Sequence, residues 1–335
     1  MIHKAEPKPS IIDLALMAKH AMILGIGGGG DIIQGIPVAR LLRQLGTPQV
    51  TMGGVSCQWW TPDGAPLSDT WGTAVMGPTI YDLADLEEAE LWAPQVACVT
   101  GESHCNGRKP CESRLAGTLG EDAMVVVGLR GGVEGLADSL KKVVSEHGVD
   151  LFIGVDIGSD SFHDGGEAVP AKTSMVDFMS LGAMLQLPCP TIYGMSGYGC
   201  DGEMQLEELD ERVGRVMRAG GYIGAHGITQ SDVAEMEAAS RRYPDPVEPM
   251  SFRAARGELG LHNVWTHGPW GTVVKVTPLA SVMMFFDPRV LVESSSNGVK
   301  ALLQTKSLQE VETIFKGQLG GFPESRLKPV IRFFD

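Results

Sequence analysis

Acidic residues gather at one place in the chain, with glycines and serines around them. Residues 155–167 contain three aspartates, one glutamate (Glu167) and one histidine, directly after an apolar run that predicts a buried strand. Carboxylates grouped in this way repel one another unless a cation, an Arg or Lys side chain, or protonation offsets their charge. Carboxylate oxygens suit Mg²⁺, and an added imidazole suits Mn²⁺ or Zn²⁺. We therefore predict a divalent metal site with candidate ligands Asp156, Asp160, His163 and Asp164; the alternative is that these aspartates cap turns through their own backbone amides.

A second candidate feature is a run of four glycines that follows the first apolar stretch. Glycine lets a ligand approach the main chain closely. The free N–H groups at the start of the next helix would then face a phosphate or a carboxylate. A sharp turn that packs a helix against a sheet is the alternative. We expect ligand binding by Gly27, Gly28, Gly29, Gly30 and Asp31.

Further candidates follow later apolar runs. Arg130, Gly131 and Gly132 come after residues 123–129, and Asp201 and Glu203 come after residues 191–195. Arginines can offset developing negative charge, so we expect Arg130 and Arg256 to bind the ligand together with Gly131 and Gly132. Carboxylates can act as general bases or metal ligands, and we assign that catalytic role to Asp156, Asp160, Asp201 and Glu203.

The elements that must position these residues are apolar strands alternating with amphipathic helices. This order predicts an α/β fold with a doubly wound, mostly parallel, Rossmann-like sheet, in which ligands bind outside the carboxyl ends of the strands. Residues 27–31, 131–132 and 156 should then face one crevice. Alternating patterns near residues 262–268, 271–276 and 281–288 predict a more β-rich C-terminal portion (246–335), packed on the same domain as a glycine-rich core (1–245). The acidic, irregular segment 71–95 predicts a turn and a solvated helix.

Charge and composition limit the partners. The chain of 335 residues has 27 Lys and Arg against 41 Asp and Glu, a formal net charge of -14. This balance argues against nucleic acid and anionic membranes as partners. There is no apolar run of the ~20 residues that a membrane span needs. Six cysteines do not make a disulfide framework in a chain of this length, and no signal-peptide pattern is present, so we expect a cytoplasmic protein. The sequence leaves open whether the chain forms a homo-oligomer.

The order of these motifs resembles the uncharacterised prokaryotic family known as domain of unknown function 1152. The matching landmarks are residues 27–31, 155–160, Gly166 with Glu167 and then Asp177, residues 199–203, and residues 286–288. The second landmark departs from the family pattern, because Ser159 stands where the family usually has a glycine. The resemblance implies a glycine-rich α/β fold and a shared acidic crevice, and it implies no reaction.

Together these features predict an enzyme of hydrolase or lyase type that acts on a small anionic ligand, whether phosphorylated, nucleotide-like or a carboxylate. A divalent metal (Mg²⁺, Mn²⁺ or Zn²⁺) is the expected cofactor, and a nucleotide is the second candidate. No Gly-Lys-Ser/Thr follows the glycines, which disfavours P-loop chemistry. The alternatives are a nucleotide- or metabolite-binding protein without turnover, an NAD-type oxidoreductase, and a structural subunit. The glycine spacing fits the dinucleotide-binding pattern of such oxidoreductases only loosely, and no clear Asp or Glu ends the second predicted strand, near residue 52.

Overall fold

The computed structural model describes residues 8–60, 76–117, 123–164, 173–243, 249–265, 272–321 and 323–326. The first half of the chain forms, in order, α1 (Ile11–Met17), β1 (His20–Gly25), α2 (Gly35–Gln44), β2 (Gln49–Val55), β3 (Cys57–Trp60), β4 (Met76–Ile80), β5 (Leu86–Ala93), β6 (Val96–Cys105), α3 (Cys111–Leu115), β7 (Ala123–Val127), α4 (Gly132–Glu146) and β8 (Leu151–Ile157). The second half forms α5 (Met175–Met184), β9 (Thr191–Ser196), α6 (Leu206–Arg218), β10 (Tyr222–Gly227), α7 (Gln230–Arg242), α8 (Pro249–Ala255), β11 (Gly260–Trp265), β12 (Thr272–Val276), β13 (Val282–Phe286), α9 (Pro288–Ser295), α10 (Asn297–Leu302) and α11 (Leu308–Ile314).

A nine-stranded sheet forms the centre of the molecule, in the order β10-β13-β9-β8-β1-β2-β7-β6-β5. The five middle strands, β9, β8, β1, β2 and β7, run parallel to one another. The two outer strands on each side pair antiparallel. Strands β1 and β8 are buried along their whole length, as parallel strands covered on both faces must be. The predicted doubly wound, mostly parallel α/β sheet is confirmed.

Helices cover both faces of this sheet because successive side chains of each strand point to opposite sides. Met22 and Leu24 of β1 belong to a core that includes α4, α5 and α6. Ala21 and Ile23 belong to a second core that includes α1, α2 and α7. Local signals fix several helix starts, such as the capping boxes that Ser10 and Thr229 open in α1 and α7.

The prediction of a solvated helix within residues 71–95 is wrong for the described part. Residues Leu86–Ala93 form β5, an edge strand that pairs antiparallel with β6. Its acidic side chains are exposed at the edge of the sheet, where charge discourages pairing with another chain. Buried and exposed positions do not alternate regularly along β5. Its sequence therefore lacks the two-residue apolar period that predicts a strand.

The C-terminal residues contribute strands in two places. The hairpin β11–β12 forms its own two-stranded sheet, and residues 266–271 between its strands lie outside the described ones. Strand β13 instead enters the central sheet between β9 and β10. All six cysteines are free. Among the described helices, none combines the length and the apolar character needed to cross a membrane.

Candidate functional site

The site lies where the direction of the strand order reverses. The chain passes from β1 to β2 on one side and from β8 to β9 on the other, while β1 and β8 lie side by side. Gly25 pairs with Val155, and the amide of Ile26 donates to the carbonyl of Val155 at 2.9 Å. The loops that follow β1 and β8 therefore begin at the same edge. In open α/β sheets this reversal leaves the crevice in which ligands bind.

Three aspartates converge at that edge of the sheet. One carboxylate oxygen each from Asp31, Asp156 and Asp177 lies within 4.8 Å of the other two, and all three residues are buried. Asp31 begins the short 3₁₀ helix after the glycines, Asp156 is near the end of β8, and Asp177 is in the first turn of α5. Three elements distant in sequence thus place their carboxylates together.

The glycine turn holds Asp31 in place. The amide of Gly27 donates to Asp31 Oδ2 at 2.6 Å. A Cβ on Gly27 would lie 2.5 Å from Asp177 Oδ1 and 2.8 Å from Asp31 Oδ2, so any larger residue there would force the two carboxylates apart. The amide of Gly29 donates to the carbonyl of Cys57 at 2.8 Å. Two of the amides that we expected to face an anion are therefore engaged within the protein.

Asp156 is oriented by hydroxyl groups. Tyr193 OH and Ser161 Oγ donate to Asp156 Oδ2 at 2.8 and 2.9 Å. Burial raises the pKa of Asp156, and these two hydrogen bonds oppose that rise because they favour the carboxylate. One oxygen is thus fixed by protein donors, and the residue remains close to the other two aspartates.

Asp177 has no such partners. All ten residues of α5 are buried, and Asp177 is 0% exposed with neither carboxylate oxygen hydrogen-bonded among the described residues. Burial, followed by the charges of Asp156 and Asp31, holds the pKa of Asp177 well above its usual range. A buried carboxylate without a donor or a counter-charge is costly unless a ligand compensates it.

A second group of carboxylates adjoins these three. Asp201 Oδ2 accepts from the amide and the hydroxyl of Ser159, both at 2.8 Å, and Glu203 Oε1 accepts from Thr173 at 3.2 Å. Burial, followed by the charges of Glu203 and Asp201, holds the pKa of Asp160 well above its usual range. The predicted catalytic residues Asp156, Asp160, Asp201 and Glu203 thus interact electrostatically with one another.

Other predicted site residues are engaged elsewhere. Arg130 pairs with Asp82 at 2.7 Å, and Arg256 pairs with Glu237. The turn at Gly131 and Gly132 packs against residues 305–308, where the amide of Leu308 donates to the carbonyl of Arg130. Strand β7, which precedes this turn, is separated from β8 by β1 and β2. A ligand role for these four residues stays a prediction.

Two metal candidates differ in their surroundings. Asp164 lies 3.6 Å from Arg212 and accepts from the amide of Asn297 at 3.1 Å. His163 is 1% exposed, with Nδ1 3.2 Å from the carbonyl oxygen of Asp160 and no hydrogen-bond partner for Nε2 among the described residues. Gly166 and Glu167 lie outside the described residues.

A family comparison covers nearly the whole of this arrangement. The model of the family described as Protein of unknown function (DUF1152) matches residues 22–327. The chain belongs to this family. A search of curated proteins and a search of solved structures found no match for this DUF1152 chain. The matched span includes every carboxylate described above.

Part of the site in this DUF1152 member is hard to predict from sequence. The family resemblance points to Asp177, and an acid inside the apolar run 175–185 is itself a signal. Glu324 was not predicted: it is 2% exposed, accepts from the amide of Val176 at 3.1 Å, and its pKa is raised to about 8 by burial. Glu112, which accepts from Gln58, was also missed, and burial raises its pKa to about 8.

Proposed function

We propose that this chain is a metal-dependent enzyme of hydrolase or lyase type, in which Asp31, Asp156 and Asp177 bind a divalent cation that receives a small anionic ligand. The observation that carries the proposal is the convergence of three buried carboxylates within 4.8 Å, one of them with both oxygens unpartnered. Mutual repulsion and desolvation both disfavour such a set, and a divalent cation relieves both.

The surrounding charges support a cation rather than a basic side chain as the compensating group. Among the described residues, no Lys or Arg forms an ion pair with Asp156, Asp160, Asp177 or Asp201. Oxygen-only donor sets suit hard cations such as Mg²⁺ and Mn²⁺. The alternative is protonation, which the raised pKa values of these four carboxyls favour in the metal-free chain.

The chemistry follows from what such a cation supplies, namely polarisation of a ligand oxygen and activation of water. Asp160 is the residue that we assign to proton transfer, because its Oδ1 is buried and unpartnered among the described residues. Burial and the charges of Glu203 and Asp201 raise its pKa, and a raised carboxyl pKa suits a general base or acid.

The expectation that the ligand is anionic depends on the same cation. A crevice lined by carboxylates repels a phosphate or carboxylate group until a metal ion is bound. The amides of Gly27 and Gly29 are engaged within the protein, so the cation supplies the main attraction. NAD-type oxidoreduction has less support, because the glycine turn that would cradle a pyrophosphate uses the amides of Gly27 and Gly29 within the protein.

Thermal unfolding in chelator and in Mg²⁺ or Mn²⁺ tests cation binding, with Asp177→Asn as the disabling variant. Asp138→Asn is the matched control, because it removes the same charge from an exposed site on α4. Turnover is then measured by phosphate release or product detection with phosphorylated sugars, nucleotides and organic acids. Metal-dependent turnover in the wild type and in Asp138→Asn, but not in Asp177→Asn, is the expected result. Metal and ligand binding with no product would favour the binding-protein alternative, and no metal binding at all would overturn the proposal.

A further inference from the structure

Helix α5 begins with a capping motif that the structure leaves open. Ser174 directly precedes the helix and Asp177 is three positions later, which is the spacing of a capping box. In a closed box each of the two side chains accepts from the backbone N–H of the other residue. Among the described residues, the hydroxyl of Ser174 and both oxygens of Asp177 have no hydrogen-bond partner. The motif is thus present in the sequence and unused in the structure.

The same motif is closed in two other helices of the chain. In α1, the amide of Ser10 donates to Asp13 Oδ2 at 2.8 Å, and the amide of Asp13 donates to Ser10 Oγ at 3.2 Å. In α7, the amide of Thr229 donates to Asp232 Oδ2 at 2.7 Å. Ser10 and Thr229 are extended, with ψ angles of 167° and 166°, whereas the ψ angle of Ser174 is 4°. The backbone at the start of α5 therefore lacks the conformation that closes the box.

A residue distant in sequence occupies the start of α5 instead. Glu324, in a short 3₁₀ helix (Glu324–Arg326), accepts from the amide of Val176 at 3.1 Å through Oε1. Glu324 is 2% exposed, so water does not replace this contact. The first amides of a helix have no partner within the helix, and an acceptor from outside satisfies them. Glu324 thus caps α5 from outside it, and Asp177 is not needed there.

A second contact fixes α5 one turn further along. Ser180 Oγ donates to the carbonyl of Ile26, which directly follows β1, at 2.8 Å. Ser180 and Asp177 are three positions apart and therefore share a face of the helix. Asp177 lies between the contact with Glu324 and the contact with Ile26. These two contacts set where its carboxylate meets the glycine turn.

We propose that Glu324 is a positioning residue for the cation site: by capping α5, it keeps the carboxylate of Asp177 free for the metal ion. The inference rests on the proposed function, since it concerns the same cation. Glu324 is not assigned as a ligand, because the group of carboxylates within 4.8 Å among the described residues does not include it. Without this cap, closure of the box between Ser174 and Asp177 becomes the alternative, and it would engage Asp177 at the helix end.

Two substitutions of Glu324 separate the cap from the charge. Glu324→Gln keeps the side-chain length and an acceptor oxygen but removes the charge. Glu324→Asp keeps the charge but is one methylene shorter, so it no longer reaches the amide of Val176. In titration calorimetry of the full-length chain, Mn²⁺ affinity should fall about 10- to 100-fold in Glu324→Asp and stay within about threefold of wild type in Glu324→Gln. The control Ser10→Ala opens the box of α1, so it should lower stability towards urea and leave Mn²⁺ affinity unchanged.

A second substitution tests the competing box directly. Ser174→Ala, added to Glu324→Asp, removes the hydroxyl that would close the box. It should therefore recover part of the Mn²⁺ affinity while lowering stability towards urea further. If Glu324 only stabilised the fold, affinity and stability would fall together, and the inference would be overturned.

Hydrogen exchange of the wild type gives a readout that does not depend on a variant folding. Coupling between two sites is reciprocal, so saturating Mn²⁺ should slow the exchange of the amides of residues 324–326. Bound Mn²⁺ with unchanged exchange there would overturn the inference and leave the proposed function standing. So would equal Mn²⁺ affinities in Glu324→Gln and Glu324→Asp. A wild type that binds no Mn²⁺ would overturn the proposed function and this inference with it.

Discussion

Replacing Asp177 with Asn should stabilise the metal-free protein. Asp177 is fully buried and neither of its oxygens is hydrogen-bonded among the described residues, while burial and the charges of Asp156 and Asp31 raise its pKa. Without metal, the wild type must keep either an unpaired charge or a proton that a free aspartate would have lost. Asparagine removes this cost, and its amide can donate to the neighbouring carboxylates. Leaving a buried polar group unsatisfied costs about 1–3 kcal/mol, so we expect a gain of that size at pH 7.5.

Metal should reverse the order of stability. A cation that binds only the folded chain stabilises it by about 4 kcal/mol at a concentration about 1,000-fold above its dissociation constant. The wild type should gain this stabilisation, whereas Asp177→Asn lacks one of three ligands and should gain little. The variant is therefore expected to be the more stable protein in chelator and the less stable one in saturating Mn²⁺.

Urea unfolding with and without Mn²⁺ measures both effects, provided that the denaturant slope stays constant. The control Asp138→Asn changes an exposed residue that pairs with Lys141, and it should shift stability by less than about 0.5 kcal/mol in either condition.

The direction in which stability changes with pH is a further check. The folded chain holds the Asp177 proton more tightly than the unfolded chain does, so the metal-free wild type becomes more stable as pH falls from the raised pKa towards the ordinary one. The advantage of the variant should therefore shrink at pH 5. A variant less stable than wild type in chelator at pH 7.5, or equally stabilised by Mn²⁺, would refute the reasoning.

Three other substitutions probe the surroundings of the site. Gly27→Ala should abolish Mn²⁺ binding in dialysis and destabilise the chain by about 1–3 kcal/mol, because its Cβ would lie 2.5 Å from a carboxylate oxygen. The control is Gly135→Ala, whose Cβ meets open space within α4 and which should stabilise the chain by about 0.5–1 kcal/mol. Equal effects of the two substitutions on stability would contradict the packing argument. Tyr193→Phe removes a donor that lowers the pKa of Asp156, so Mn²⁺ affinity should fall about 10- to 100-fold in titration calorimetry, and unchanged affinity would separate this hydroxyl from the metal site. Glu112 has a pKa raised to about 8 by burial, so the wild type should lose about 3 kcal/mol of stability from this group between pH 4.5 and 7, and urea titrations of Glu112→Gln should lack that slope.

Strand-end residues were the predictable part of the site. Asp31 and Asp156 each follow an apolar run and a glycine, and a parallel sheet brings such strand ends to one edge. The sequence therefore predicts that both residues face the same edge of the sheet, and the structure brings their carboxylates together. The alternation of apolar strands and amphipathic helices is enough to predict this arrangement.

Residues contributed by helices and by distant segments were harder to predict. Helix α5 is buried on all sides, so its periodicity gives no direction in which Asp177 would point. Glu324 reaches the N-terminal turn of the same helix from 148 positions further along the chain, and no local pattern predicts that contact. The sequence also does not show that Arg130 and Arg256 pair with Asp82 and Glu237. Such pairings depend on how surface side chains meet after folding.

The glycine turn after β1 uses its donors differently from an anion-binding turn. In such a turn the amides point outward and the helix N-terminus attracts a phosphate. Here Gly27 donates inward to Asp31, and the absence of a Cβ lets the carboxylates of Asp31 and Asp177 approach from either side. The turn therefore supplies negative charge to the crevice instead of compensating it. If the proposed cation binds at this site, we expect metal binding to come first and binding of an anionic ligand to come second.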